Sequence, residues 1–317
     1  MRDGFRRRHL YVVLEDWHSG YSIRKVNLPS RSSESTARLP QALLHVAVPT
    51  LGSLKYMTPA FGTKIVVLQL GLDVNTPLVD VLERSVTYAS GPCTRTCCPI
   101  FIPVSDNKLF VMDVHSFESC CWSRTRPSDL SWNLLPDVPF SRRHVSSYAV
   151  QPDEAILVST KVDGTAKTFI FNLQDNAWKL HGNWTLPFNG LGHYDPSLEA
   201  FVGLSKHDGY IYICSIKSSP RIKCCNEQVY TKNLAEKHES ATLVYMRRGK
   251  FCLVECVSIY AGAGEGQRHY KYRLMTFYLR YDIDGDLKLK HGRVCYYNLP
   301  HESTVTHIRQ APQAFWL

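Results

Sequence analysis

The stretch Tyr148-Ala149-Val150-Gln151-Pro152-Asp153-Glu154-Ala155-Ile156-Leu157-Val158 has the pattern of a β-strand, a polar turn and a second β-strand. Similar units lie at 99–114, 192–204 and 243–257, and residues 64–68 supply the second strand of an earlier copy. The copies are centred, in chain order, on Ile65, Leu109, Ile156, Phe201 and Phe251. Their separations of 44, 47, 45 and 50 residues are typical of a β-propeller, in which each repeat forms one four-stranded blade.

Turn residues mark further hairpins along the chain. Asp163-Gly164, Asp208-Gly209 and Asp284-Gly285 each combine a turn-forming aspartate with a glycine that adopts positive φ easily. In one predicted strand near the end of the chain, every second residue is apolar or aromatic. This alternation places on one face the residues Met275, Phe277, Leu279, Tyr281 and Ile283. Helix signals are nearly absent, and only 233–237 indicates a single turn of helix.

These patterns predict an all-β fold, a six-bladed β-propeller that comprises residues 1–317 as a single domain. The segment 9–28 forms only a strand pair, and 293–299 is a spare strand near the other end. We expect the two to share the sixth blade, so that pairing of N- and C-terminal strands closes the ring. The serine-rich stretch 30–38 is expected to be a mobile linker.

The charge of the chain allows an anionic partner but does not indicate one. Its 317 residues carry a net charge of +9, which favours electrostatic attraction to acidic surfaces. The basic residues form short clusters at 6–8, 142–143, 247–250 and 268–273, where turns are expected. Nucleic-acid-binding proteins concentrate such charge on one face with interleaved aromatic residues, so we expect solvated loop charge and no nucleic-acid partner.

Eleven cysteines without regular spacing indicate a reducing compartment rather than a disulfide framework. The chain begins Met1-Arg2-Asp3-Gly4 without an apolar signal segment, and it has no run of roughly 18 apolar residues that could span a membrane. The expectation is an intracellular protein, cytoplasmic or nuclear, that is not secreted and is a monomer.

Three local patterns resemble catalytic or ligand-binding motifs without meeting their requirements. Ser205, His207 and Asp208 lie together but lack a G-x-S-x-G elbow, and neighbours on a strand point to opposite faces. The loop 262–266 lacks the lysine and the helix of a phosphate-binding loop. The triplet Asp282, Asp284 and Asp286 resembles the start of an EF-hand, but its glycine is misplaced and Arg293 stands where the bidentate glutamate belongs.

The chain also contains possible metal ligands and possible ligand-stacking tryptophans. Hairpin pairing could gather a zinc-ligand set from Cys93, Cys97, Cys98, His115, Cys120 and Cys121. Only Cys93 and Cys97 approach the spacing of a zinc knuckle, so free thiols are expected. Cys252 and Cys256 share a strand face but lie roughly 13 Å apart at ~3.3 Å per residue, too far to share one metal ion.

Three tryptophans are expected to wedge between blades rather than to stack on a ligand, namely Trp132, Trp178 and Trp184. No catalytic, cofactor-binding or metal-binding residue is therefore assigned.

Several strings resemble a family from the grass lineage, the plant domain of unknown function 1668. They include Ser146-Ser147-Tyr148-Ala149-Val150, Val158-Ser159-Thr160, Gly182-Asn183-Trp184-Thr185-Leu186-Pro187-Phe188 and Gly249-Lys250-Phe251-Cys252, and the resemblance extends over nearly the whole chain. The resemblance implies a kelch-like propeller or one related to plant F-box-associated propellers, and it implies no activity. The chain lacks the Gly-Gly doublets of kelch repeats, and prolines and a glycine after 38–44 exclude an F-box there.

The function that follows is a non-enzymatic protein-interaction module that binds a protein partner through propeller loops. Two alternatives stay open: a propeller enzyme of the glycosidase or lyase type with a site in the central channel, and a basic-loop binder of an anionic polymer. No cofactor is expected.

Overall fold

The computed structural model describes residues 8–17, 20–28, 36–47, 55–69, 75–123, 130–205, 207–216, 219–260, 268–300, 303 and 310–317. Regular structure in these ranges is almost entirely β-strand, with one short 3₁₀ helix at Arg142–His144. The all-β prediction is confirmed. The predicted turn of helix at 233–237 is wrong, because the chain forms a turn at Leu234 and Ala235 and enters a strand at Glu236.

The strands are, in chain order, β1 (Leu10–Trp17), β2 (Gly20–Val26), β3 (Thr36–Arg38), β4 (Ala42–Ala47), β5 (Lys55–Ala60), β6 (Lys64–Gln69), β7 (Asn75–Asp80), β8 (Ser85–Ser90), β9 (Ile100–Ser105), β10 (Lys108–Met112), β11 (Phe117–Trp122), β12 (Leu130–Leu134), β13 (Val145–Val150), β14 (Ile156–Val162), β15 (Thr165–Asn172), β16 (Ala177–Gly182), β17 (Gly190–Asp195), β18 (Ala200–Leu204), β19 (Tyr210–Ile216), β20 (Pro220–Gln228), β21 (Glu236–Arg247), β22 (Lys250–Tyr260), β23 (Arg268–Tyr281), β24 (Leu287–Asn298) and β25 (Gln313–Trp316).

The chain divides into two compact units. The first comprises Met1–Leu51, His207–Ile211 and Cys224–Leu317, and the second comprises Gly52–Lys206 and Tyr212–Lys223. Within the first unit, one sheet has the strand order β25-β1-β2-β4 and another has the order β21-β22-β23-β24-β3. Alternate residues of β1 and β22 pack together in its core, including Leu10, Val12, Cys252 and Val254.

The N-terminal hairpin is completed differently from the prediction. Its partner is β25, which pairs with β1 in the register Leu10↔Trp316, whereas 293–299 falls in or directly after β24. That strand pairs with β23 on one side and, in parallel, with β3 on the other. Residues 293–299 are therefore not spare: the 14-residue β23 needs a long partner, and β24 supplies it. The predicted linker is also wrong for Thr36–Arg38, which form β3, while 30–35 lie outside the described residues.

Within the second unit, β5-β6-β7-β8 and β12-β11-β10-β9 are four-stranded sheets. The strands β16-β15-β14-β13-β17-β18 of a third sheet also lie in this unit. They form two antiparallel groups joined by a parallel pairing of β13 with β17, in which Ser147 lies opposite Gly190 and Ala149 opposite Gly192. No closed sheet is present among the described strands.

The five residues on which the sequence repeat is centred occupy equivalent positions in the structure. Each lies in the second strand of an antiparallel series, on β6, β10, β14, β18 or β22, and each is at most 3% exposed. A second strand is paired on both edges and covered on both faces, so it requires a continuous apolar run. The predicted hairpins at 99–114, 148–158, 192–204 and 243–257 are confirmed by the registers of β9–β10, β13–β14, β17–β18 and β21–β22.

The predicted tight turns are confirmed as well. Gly164, Gly209 and Gly285 have φ of 83°, 68° and 78°, in the region that glycine adopts without the steric cost of a Cβ atom. The alternation along β23 ends sooner than predicted, because the strand stops at Tyr281. Ile283 lies in the following turn and is fully exposed.

A strap over the second unit explains one of the family-like strings. Thr168 donates its hydroxyl to the Trp184 carbonyl at 2.6 Å, and the Leu186 N–H donates to Ser159 Oγ at 3.0 Å. These bonds hold 184–188 across β14 and β15, and they place Phe188 over the next hairpin. A Cβ atom built on Gly203 would lie 2.1 Å from the Phe188 ring. The sequence therefore needs glycine where the phenylalanine packs against β18.

Substitution Gly203→Ala is expected to lower the free energy of unfolding by about 1–3 kcal/mol, the usual cost of overpacking a filled core. In a Phe188→Ala background the same substitution should cost much less, because the clashing ring is gone. Urea denaturation of the single and double variants measures this coupling. Equal costs in both backgrounds would show that the ring does not set the requirement for glycine.

Candidate functional site

The main candidate site is a groove in the first unit, which we call the basic groove. It encloses about 380 Å³ and is lined from β1, β2 and β21 through β25, which is within the roughly 300–1,000 Å³ that small-ligand pockets occupy. Its floor consists of the apolar side chains of Leu10, Val26 and Met246, all buried in the core of the unit. Trp316 adds a partly buried indole to the lining. An apolar group entering this groove would be removed from water.

Four basic residues lie on the groove, namely Arg8, His9, Lys250 and Arg293. Among the described residues of its lining there is no aspartate or glutamate. Lys250 also lies over the Tyr278 ring, with 5.5 Å between its Nζ atom and the ring centroid. The groove therefore combines an apolar floor with positive charge, a combination that suits a ligand with an acidic group beside an apolar one.

Backbone pairing fixes where these cations lie. The His9 N–H donates to the Leu317 carbonyl at 2.6 Å, and the Leu317 N–H donates to the His9 carbonyl at 3.0 Å. Lys250 follows a turn in which Arg247, Arg248 and Gly249 have φ of 85°, 52° and 70°. On the third strand of that sheet, Thr276 accepts the Arg293 N–H at 2.9 Å. His9 directly precedes β1, Lys250 is the first residue of β22, and Arg293 lies within β24.

Sequence reasoning found parts of this groove but not the groove itself. Arg8 and Lys250 belong to basic clusters that were interpreted as solvated loop charge. His9 directly follows Arg8 but was not counted in its basic cluster. Arg293 carries no local signal, because it becomes a neighbour of the others only through strand pairing. The interpretation of 268–273 as loop charge is wrong for Arg273, which is buried within β23.

Arg273 belongs to a buried polar network around Glu255. Glu255, which is fully buried, accepts hydrogen bonds from Arg273 Nη1 at 2.7 Å and from the Thr231 N–H at 3.1 Å, and His238 Nδ1 lies 2.9 Å from it. Tyr230 stacks on the His238 ring with 3.8 Å between centroids. Burial, and then the nearby charge of Glu255, raise the pKa of Tyr230 to about 12, so the phenol stays protonated. The network ties β21, β22 and β23 to the segment that precedes them.

Other buried carboxylates also hold the backbone of loops. Asp80 accepts the N–H groups of Leu82 and Glu83, and Asp195 accepts those of Ser197 and Leu198. Asp113 and Glu118 accept amides from the loop that precedes β9. Each of these buried carboxylates thereby has its hydrogen-bonding capacity satisfied by main-chain donors of a turn or loop. Their hydrogen bonds are those of structural acceptors.

The three residues that resemble a catalytic triad, Ser205, His207 and Asp208, lie at a turn. Asp208 accepts the Tyr210 N–H at 3.2 Å and precedes the positive-φ Gly209. His207 is exposed, and Ser205 directly follows β18. This is the surface turn that the sequence predicts.

Of the two loops that resemble calcium-binding and phosphate-binding motifs, the structure describes only the first. Asp282 accepts the N–H groups of Asp284 and Asp286 and lies 3.3 Å from Lys288 Nζ, so its carboxylate closes the turn after β23. The loop 262–266 lies outside the described residues. In the ranges given above, no three His, Cys, Asp or Glu side chains are grouped so that they could hold a metal ion.

The cysteines of the zinc-like set are divided between surface and core. All eleven cysteines are free thiols. Cys93, Cys97 and Cys98 are exposed on the loop before β9, whereas Cys120 is buried in β11. Cys252 and Cys256 lie in the core of the first unit.

The three tryptophans pack on cores, as the sequence predicts. Trp178 contacts Phe117 and Phe171, with 5.2 and 5.1 Å between ring centroids, so it lies between two neighbouring sheets of the second unit. Trp132 donates its indole N–H to the Ser90 carbonyl at 2.8 Å, which also links two sheets. Trp184 is part of the strap described above.

Two glutamate–histidine pairs allow a matched test of the Glu255 network. Substitution Glu255→Gln leaves the Arg273 charge buried without compensation, and it should lower the free energy of unfolding by about 3–5 kcal/mol. The control Glu227→Gln removes a partner of His291 in a pair whose side chains are 47% and 48% exposed, and it should cost less than about 1 kcal/mol. Urea denaturation measures both, and similar losses would contradict a structural role for the buried network.

Comparison with solved structures gives three similar chains. A periplasmic gluconolactonase of Pseudomonas aeruginosa is 11% identical with a TM-score of 0.47, and 92% of this chain and 99% of that one are covered. A protein from Lactobacillus plantarum is 10% identical with a TM-score of 0.48, covering 97% and 99%. Virginiamycin B lyase from Staphylococcus aureus is 8% identical with a TM-score of 0.46, covering 90% and 99%. With scores below 0.5, these likenesses carry no argument about activity.

No curated protein matches the sequence. Of the helical segments in the described part of the chain, none has the length and apolarity needed to cross a membrane. The model of one protein family, DUF1668, described as a protein of unknown function, matches residues 7–297. The match covers most of the chain, and the protein belongs to the DUF1668 family.

Proposed function

We propose that this protein is a non-enzymatic binding module whose basic groove takes a short acidic segment of a partner protein, with one apolar side chain of that segment seated on the groove floor. The observation that carries the proposal is the lining itself, whose described residues include four basic residues beside buried apolar side chains and no aspartate or glutamate.

Charge and burial act on different parts of such a ligand. The apolar floor favours an aliphatic or aromatic side chain through the hydrophobic effect, worth roughly 25 cal/mol per Å² removed from water. The cations favour acidic neighbours and disfavour basic ones, which gives specificity. The net charge of +9 adds long-range attraction for the same class of partner.

The buried carboxylates favour a binding role over catalysis. A general acid or base must reach a substrate proton. In the described part of the chain, Asp80, Asp113, Glu118, Asp195 and Glu255 already accept backbone amides. Their hydrogen bonds support a structural role, and no second function has an observation of this kind behind it.

As the scaffold of this module we propose a single six-bladed, kelch-like propeller domain of an intracellular monomer. The recurring second strands support the blades, and the β1–β25 pairing supports closure between the N- and C-terminal strands. The parallel pairing of β13 with β17 supports inner strands that run in the same direction. The free thiols support a reducing compartment.

A labelled short peptide with a central phenylalanine flanked by acidic residues serves as the probe. Fluorescence anisotropy should show saturable binding that weakens with salt, because ion pairs form at the rim. The variant Lys250→Glu with Arg293→Glu should bind at least about tenfold more weakly, equivalent to about 1.4 kcal/mol. A peptide with serine in place of phenylalanine should also bind more weakly.

The charge-matched control is Lys161→Glu with Lys167→Glu, two exposed positions that do not line the groove. It should bind within about twofold of the unmodified protein. Equal weakening in both double variants would indicate binding of acidic polymers by net charge alone. No binding of the acidic peptide at low salt would overturn the proposal.

A further inference from the structure

Three pairs of adjacent cysteines occur in the chain, and they differ in backbone geometry. Cys120–Cys121 and Cys224–Cys225 lie within β11 and β20. Successive strand residues point to opposite faces, and each of these pairs has one buried and one more accessible thiol. Cys97–Cys98 instead lies in a bend before β9, where both residues are exposed and their Sγ atoms are 4.0 Å apart. Of the three pairs, only this one presents two accessible sulfurs on the same side.

Both main-chain N–H groups and both main-chain carbonyls of Cys97 and Cys98 are hydrogen-bonded. The Cys97 N–H donates to Asp113 Oδ2 at 2.6 Å, and the Cys98 N–H donates to Asp113 Oδ1 at 2.8 Å. The Tyr56 hydroxyl donates to the Cys97 carbonyl at 3.2 Å, and Arg142 Nε donates to the Cys98 carbonyl at 3.0 Å. Asp113 is buried. The two thiols are therefore carried by a preorganised backbone, which lowers the entropic cost of binding a common ligand.

The sulfur separation fits one metal ion better than a disulfide. With metal–sulfur bonds of about 2.3 Å, the length for zinc, two sulfurs on one ion can lie up to about 4.6 Å apart. The 4.0 Å between these two sulfurs is within that limit. A disulfide requires an S–S distance of about 2.05 Å. The four backbone hydrogen bonds oppose the rearrangement that this closure needs. Thiolate ligands select soft metals such as Cu(I).

Nearby charges suit the complex that would form. Two thiolates and one monovalent ion carry a net negative charge, and Arg142 and Arg143 supply positive charge beside them. The neighbouring Cys98, then burial and Asp113, raise the pKa of the Cys97 thiol, while Arg143 lowers it. Burial, followed by the charge of Cys98, raises the pKa of Tyr56 to about 12, so its hydroxyl remains a donor.

We propose that Cys97 and Cys98 form a two-thiol site for a single soft monovalent metal ion of the Cu(I) class. Each thiol releases one proton to solvent, two sulfur–metal bonds form, and no electron is transferred. Protons compete with the metal for the sulfur atoms, so the affinity falls as the pH falls. Asp113, Tyr56, Arg142 and Arg143 are the titratable and charged groups around the pair.

The test is anaerobic titration of the fully reduced protein with Cu(I) in competition with a chromophoric Cu(I) chelator. The unmodified protein should take one ion more tightly than the variant Cys97→Ser with Cys98→Ser does, by at least about tenfold in affinity. The control Cys224→Ser removes an exposed thiol from a strand pair and should leave this ion in place. Binding should weaken from pH 8 to pH 6.

X-ray absorption of the loaded protein gives a second readout, with two sulfur atoms expected as neighbours of the metal ion. Circular dichroism melts should be the same for the serine variants and the unmodified protein, since both thiols are exposed. Unchanged Cu(I) affinity in the double variant would overturn the proposal. So would failure to bind Cu(I) together with a peroxide-induced loss of two hydrogens in the peptide that contains both cysteines, which would mark the pair as a redox disulfide.

Discussion

The structure depends on the burial of the second strand in each antiparallel series. A strand with partners on both edges and neighbours on both faces cannot alternate polar with apolar residues, because neither face is solvated. The run Ile156 to Thr160 illustrates this, since all of its residues are buried. Its hydroxyl members are hydrogen-bonded to the adjacent strand, Ser159 to the Thr168 hydroxyl and Thr160 to the Lys167 carbonyl. The constraint fixes where the apolar runs fall, and the turns and outer strands follow from them.

Loops between such strands contain backbone amides that have no partner strand, and buried carboxylates accept hydrogen bonds from them. Asp195 closes a hairpin by accepting two amides of its own turn. Asp113 and Glu118 act on a loop that lies earlier in the chain. Unpaired buried amides would cost about 1–3 kcal/mol each. Carboxylates that resemble catalytic groups by their burial are therefore parts of the framework, and the accessible chemistry lies in the basic groove and in the thiol loop.

Much of the local fold could be predicted from the sequence, because its determinants are local. The apolar runs around Leu109 and Phe251 and the Asp-Gly turns gave the correct hairpins. The role of β25 could not be predicted, since a strand of four residues has no pattern apart from its partner. The same holds for the basic groove, whose residues are far apart in sequence and meet through strand pairing. The thiol pair has a weak signal in retrospect, because Pro99 directly follows Cys98 and disfavours helical geometry before it.

The loop that carries Cys93, Cys97 and Cys98 owes its shape to acceptors outside itself. Asp113 and Glu118 come from the region of β10 and β11, and they bind the loop through main-chain N–H groups. Main-chain groups are common to nearly all residue types, so the outward side chains of this loop are under little conformational selection. Such a loop is suited to divergence between paralogues and to grafting of foreign recognition sequences by protein engineers, with the acceptor pair left intact as the template for its backbone.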